Sequence, residues 1–216
     1  MWIDSNSGQK RNWPSCFPLL AMLLKLLLFS LAALANSEGK LVDVKKQDFS
    51  FLLEMPYATE KNITGKKWHT EPRCVLRTEA AEALIRAQKT FQVLGIRLKI
   101  QECYLPDLIG KALLVQKMKH GIGFDFETYF SRGGAVAVTA VDREGREFTF
   151  PGASYSGKKY KVSDSQAAKS AEANLAKLQW VMKKEGFETY PQAPWFFIYR
   201  GSKDWPFSNI PIPEIP

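Results

Sequence analysis

The stretch that most constrains this chain is ETYFSRGGAVAVTAVDREG, Glu127 to Gly145. Two glycines lead into a run of small and β-branched residues, Ala135 to Val141, whose pattern predicts a strand. Asp142-Arg143-Glu144-Gly145 makes a turn, and Arg146 to Phe150 is expected to return as the second strand of a hairpin. A polar turn and paired glycines ahead of small alternating residues have the outline of a strand that carries an active site. At the positions where such a strand would hold a metal or move a proton, this one has nothing able to do either.

The elements around it are mixed rather than regularly alternating. LVDVKKQDFSFLLEM has strand-like patches, and a turn-rich loop follows to Gly65. Thr78 is placed to cap a helix whose apolar positions Leu84, Ala87, Phe91 and Leu94 share a face, with Gly95 as its stop. IRLKIQE alternates strictly, Ile96, Leu98 and Ile100 against Arg97, Lys99 and Gln101, which predicts a half-buried strand. A shorter helix with Leu113, Leu114 and Met118 is expected after Pro106-Asp107. Ser163 or Ser165 opens a long one with Leu175, Leu178 and Met182 at helical spacing, stopped by Gly186. WFFIY reads as a last buried strand, and the proline-rich end from 207 to 216 can neither continue a helix nor enter a central strand. This order predicts a single compact α+β domain over 36–206, with a mixed or antiparallel central sheet and flanking helices.

Residues 1–35 read as a signal peptide. Lys10, Arg11 and Lys25 supply positive charge, Leu26 to Leu34 is almost wholly apolar, and Ala33-Leu34-Ala35 is a small-residue cleavage site. Met22 would start a more compact version of the same signal, and the apolar run is short for a bilayer span. The chain is therefore expected in the periplasm or cell envelope, without a stable membrane span after cleavage. Of its 30 basic and 22 acidic residues, three basic and one acidic fall in 1–35, leaving a net +6. These charges are scattered, so a solvated basic surface is expected and nucleic-acid binding is not. Two cysteines follow the signal, Cys74 and Cys103. Export permits a disulfide between them, but two buried thiols read equally well from sequence alone.

Five segments in order, YATEKNITGKKW, RCVLRTEAAEALIRAQ, GIRLKIQECYLP, FSRGGAVAVTAVDREG and EGFETYPQAPWFFIY, resemble the exported bacterial branch of the zinc D-alanyl-D-alanine dipeptidases. The resemblance runs from about Leu41 to Pro206. It implies that family's fold and a mechanism needing five groups. A His and an Asp seven residues apart and a second His, at the end of Glu-x-x-His, bind zinc. The Glu of that motif is the general base, and an Arg in Asp-Gly-Tyr-Arg-Pro stabilises the transition state. Three protein ligands leave zinc a position for water, whose pKa the metal lowers; a carboxylate takes the proton and a cation meets the oxyanion.

Carried over residue by residue, all five are replaced. The first His position is Phe130, the Asp position Ala137 and the second His position Phe196. The general-base position is Ala193 and the transition-state Arg position is Leu105, with Cys103 where the motif has glycine. Ser131, Arg132, Gly133, Ala135, Thr139, Tyr104, Pro106, Tyr190, Pro191 and Trp195 keep the surrounding pattern. Other polar groups offer no replacement set. His69 and His120 lie off the motif's spacing and read as surface or loop histidines, Cys103 has no visible His partner, and Glu102 reads as a lone carboxylate. The expectation is an inactive relative with no cofactor, whose Phe130 and Phe196 face each other in a filled core and whose partners are peptidoglycan-derived peptides or another envelope component. The alternative is an active dipeptidase of cell-wall metabolism, as overall resemblance implies.

Overall fold

In the computed structural model, residues 39–121, 127–152, 155, 163–190 and 193–216 are described, and the expected signal peptide lies outside them. Among the described residues, seven strands and five α-helices follow in order: β1 (Leu41–Asp43), α1 (Val44–Gln47), β2 (Leu52–Leu53), β3 (Val75–Arg77), α2 (Thr78–Val93), β4 (Arg97–Glu102), α3 (Asp107–Lys119), α4 (Glu127–Phe130), β5 (Ala135–Val141), α5 (Ser165–Lys184), β6 (Phe187–Tyr190) and β7 (Ala193–Tyr199). Five strands form one mixed sheet in the order β2-β4-β5-β7-β6, with β2 parallel to β4 and the other neighbours antiparallel. β1 and β3 pair as a separate antiparallel ribbon. The α+β architecture expected from the order of elements is the one observed. Among the described residues, no helix is long and apolar enough to cross a membrane.

Strand β5 is buried along its whole length because it has a core on each face. Val136, Val138 and Ala140 point into a large core built with α2 and α5, where Leu84, Phe91, Leu178 and Met182 pack. Ala135 and Ala137 point the other way, into a second core with Leu113 of α3 and Phe130 of α4. The alternation of side chains along a strand makes this possible, and small residues let layers approach from both sides.

Several local expectations shift in the structure. Leu94 is half exposed, because α2 ends at Val93 and Gly95 turns the chain away at φ +71°. In α3 the buried stripe is Leu113 with Lys117, while Met118 is 60% exposed. The Lys117 ammonium sits over the rings of Tyr155 (4.3 Å to the centroid) and Tyr57 (5.1 Å), so a cation–π contact buries a residue that hydropathy places outside. Helix α5 is capped by neither serine: Asp164 Oδ1 accepts from the Ala167 N–H. Thr78 is the first residue of α2 rather than its cap, and its hydroxyl donates to the Lys40 carbonyl. The return after the Asp142–Gly145 turn is a single bridge, Val141 with Glu147, plus the Phe148 N–H to the Ala140 carbonyl. Strand β5 takes its partners from β4, along Ala137 to Val141, and from β7, along Ala135 to Ala137, instead of from a hairpin.

The proline-rich end is stitched to the domain. Arg73 donates to the carbonyls of Ile212 and Ile215, the Tyr104 hydroxyl to that of Ile210, and Ser208 exchanges backbone hydrogen bonds with Ser131 and Asp107. Ile212 and Ile215 bury themselves against Leu41, Val75 and Tyr104.

Candidate functional site

The five positions that the resemblance marks come together. Leu105, Phe130, Ala137, Ala193 and Phe196 are each 0% exposed and belong to one apolar cluster. Register explains part of this: Ala137 in β5 lies opposite Phe196 in β7 on one side and Glu102 in β4 on the other. Leu105 follows β4 by three residues, and Phe130 closes α4 just ahead of β5. Phe130 and Phe196 meet edge to face with ring centroids 5.2 Å apart, the contact expected from the sequence. Tyr155 packs edge-on against Phe130 (5.8 Å), and Tyr129 and Tyr190 against Phe196 (6.1 and 6.0 Å). Such pairs contribute about 0.5–1.5 kcal/mol each beyond the area they bury.

Zinc does not fit these positions. Its protein ligands are thiolate, imidazole and carboxylate, and the five side chains present hydrocarbon alone. Among the described residues, no group of three or more His, Cys, Asp or Glu gathers as a metal site. Cys103 is bonded to Cys74 and so is neither a free thiol nor a thiolate ligand.

The residues that keep the family pattern around the site have structural work. Gly133 takes φ +72°, and a Cβ there would lie 2.8 Å from Leu41 Cδ2. A Cβ on Gly134 would sit 2.0 Å from that of Ser202, so this glycine permits the close approach of the segment after β7. The Arg132 guanidinium donates to the Trp205 carbonyl and stacks 4.1 Å from the Phe207 ring centroid. Its own carbonyl accepts from Arg77 Nε. The frame joins β5 to the C-terminal segment, and that role is independent of any reaction.

Two expectations are overturned beside the cluster. His69 is not a surface histidine and Glu102 is not a lone carboxylate. His69 is 3% exposed, Glu102 is 0% exposed, and His69 Nε2 lies 2.8 Å from Glu102 Oε1. Burial alone lowers the His69 pKa, but the charge of Glu102 and its hydrogen bond outweigh this and raise it above the ordinary value. Glu102 Oε1 also accepts from the Cys103 N–H, while His69 Nδ1 and Glu102 Oε2 have no hydrogen-bond partner. The loop YATEKNITGKKW positions His69: Asn62 ties it to the carbonyls of Thr59 and Lys66, and the Trp68 and His69 N–H groups both donate to the Tyr57 carbonyl. The two partners lie 33 residues apart, and no local pattern announces such a pair. His120, by contrast, is exposed at the end of α3, as expected.

The mixed sheet with flanking helices defines an α+β domain, and the family comparison specifies which. The D-ala-D-ala dipeptidase family model matches residues 37–210, and the chain belongs to that family. A D-alanyl-D-alanine dipeptidase of Escherichia coli (strain K12) is 31% identical over 96 residues, covering 43% of this chain and 49% of the relative. The match thus spans about half the length of that curated relative. A solved structure described as revealing how the LdcB LD-carboxypeptidase recognises peptidoglycan is 20% identical, covers 60% of this chain and 61% of its own, and has a TM-score of 0.36. At that score it carries no argument about this chain.

Proposed function

We propose that this chain is an exported, non-catalytic member of the D-ala-D-ala dipeptidase family, which binds peptidoglycan-derived peptides or another envelope component without cleaving them. One observation carries the reading: all five positions that the resemblance marks converge, and together they form a buried apolar cluster around Phe130 and Phe196. A phenyl ring roughly keeps the volume of an imidazole and removes both nitrogens. Losing the ligands alone would leave a buried carboxylate and guanidinium without compensation, at a cost of several kcal/mol. Replacing all five turns a polar metal site into a packed core. Export, and with it a periplasmic or envelope location, rests on the basic and apolar pattern of residues 1–35.

The test is zinc content of the purified protein, with D-alanyl-D-alanine hydrolysis assayed on the same sample. Negligible zinc and no turnover are expected. Near-stoichiometric zinc with chelator-sensitive turnover would overturn the reading in favour of an active dipeptidase, the activity that family membership alone implies.

A further inference from the structure

Ten large apolar side chains are exposed among the described residues, and four of them share one face. Leu108, Val115 and Met118 of α3 fall at i, i+7 and i+10, with Lys111 and the exposed Ala112 between them. Phe207 joins this stripe from the C-terminal segment. The Lys111 ammonium lies 5.9 Å from its ring centroid and the Arg132 guanidinium 4.1 Å. The four side chains are 47% to 69% exposed. Helix α3 is thus apolar on both sides: the inner side, with Leu113, packs in the domain, and the outer side meets solvent. A helix apolar all round is normally buried, and a contiguous exposed apolar patch marks a surface that meets a partner.

Charge narrows the choice of partner. The exposed charged residues of α3 are Lys111 and Lys119, and its sole acid, Asp107, is buried and paired with Lys111 at 2.6 Å. Arg132 adds a further cation beside Phe207. A second copy seated face to face would repeat these lysines with no acid to meet them. Four partly exposed side chains also fall short of the ~800 Å² per partner that a stable dimer buries. An anionic lipid surface satisfies both features. Apolar side chains enter the boundary between headgroups and acyl chains, while lysine stems lie along them and keep the ammonium groups among the phosphates. From Leu108 to Met118 the stripe runs about 15 Å at 1.5 Å per residue. That is half of the ~30 Å hydrocarbon core, so the helix has the length to lie in the boundary and not to cross it.

We propose that the outer face of α3, together with Phe207, docks the domain on an anionic lipid surface. Leu108, Val115, Met118 and Phe207 enter the boundary, and Lys119 and Arg132, with Lys111, meet the lipid phosphates. The proposal goes beyond the non-catalytic reading and does not depend on it, since none of these side chains belongs to the cluster of Phe130 and Phe196.

The test places an environment-sensitive fluorophore on the full chain, at Val115→Cys or at Val93→Cys, with Cys16→Ser removing the thiol outside the Cys74–Cys103 disulfide. Val93 is also apolar and exposed, but it ends α2, which packs on the opposite face of the sheet. Mixed phosphatidylglycerol–phosphatidylcholine vesicles are expected to shift the label at Val115 to the blue and to leave the label at Val93 unchanged. Binding to them is expected to exceed binding to pure phosphatidylcholine vesicles about tenfold or more, and to weaken as salt rises. Val115→Glu with Met118→Glu, both at exposed positions, is expected to lower vesicle co-sedimentation about tenfold or more with the melting temperature unchanged. An unshifted label at Val115, or equal shifts at both positions, would overturn the proposal. Undiminished vesicle binding by the double variant would also overturn it and assign the binding to another part of the chain, such as residues 1–35. A label at Val115 already shifted without vesicles, in a chain that sediments as a dimer, would overturn it in favour of a second copy. None of these outcomes bears on zinc or turnover, so this proposal and the non-catalytic reading fail separately.

Discussion

Ala137 shows what a single residue decides here. It sits between Glu102 and Phe196 in the sheet register, fully buried, with a methyl group at the position where the sequence resemblance implies a carboxylate. Ala137→Asp would place a carboxylate among the apolar side chains of Leu105, Phe130 and Phe196. The expected loss is roughly 3–5 kcal/mol, read as a shift in the denaturant midpoint. A loss well under 1 kcal/mol would mean that water or a metal reaches the site. His69 decides a different property. Its folded pKa is raised above 6.5, the value taken for the free side chain, so the folded state holds the proton more tightly. The stability that this contributes is fully present below pH 6.5 and is lost as pH rises through the raised value. Melting temperature is therefore expected to fall across that window, and His69→Gln to flatten the fall. An unchanged slope in the variant would place the titration elsewhere.

Among the elements, the small ribbon of β1 and β3 depends most on a covalent tie. Cys74 precedes β3, Cys103 follows β4, and their disulfide joins ribbon to central sheet across 29 residues of sequence. Closing a loop of that length contributes ~3–4 kcal/mol in the chain-entropy account. Replacing both cysteines with alanine is expected to cost about that much in chemical denaturation; a cost near zero would mean that packing alone docks the ribbon. Elements with strong internal periodicity were legible in the sequence: α2, α5, β4, β5 and β7 lie where their patterns place them. Strand β6 was not anticipated, and the return after Gly145 was over-read as a strand. A short strand has little periodicity of its own, and its pairing is settled by which neighbour has a free edge.

At the scale of the whole molecule, function turns on residues that sequence distance separates. The five positions that the resemblance marks span 105 to 196, and the outer face of α3 takes Phe207 from the C-terminal segment. The sequence by itself determined the α+β order of elements, the strand at Ala135 to Val141, and the absence of ligand chemistry at Phe130, Ala137 and Phe196. Side-chain chemistry and local periodicity suffice for those, because each is a property of a residue or of its near neighbours. Tertiary structure alone decided that Glu102 pairs with His69, that Lys117 is buried under two tyrosines, and that the proline-rich end sets Phe207 beside α3. Those contacts join segments whose encounter depends on how whole layers pack, and a local pattern carries no record of a partner dozens of residues away.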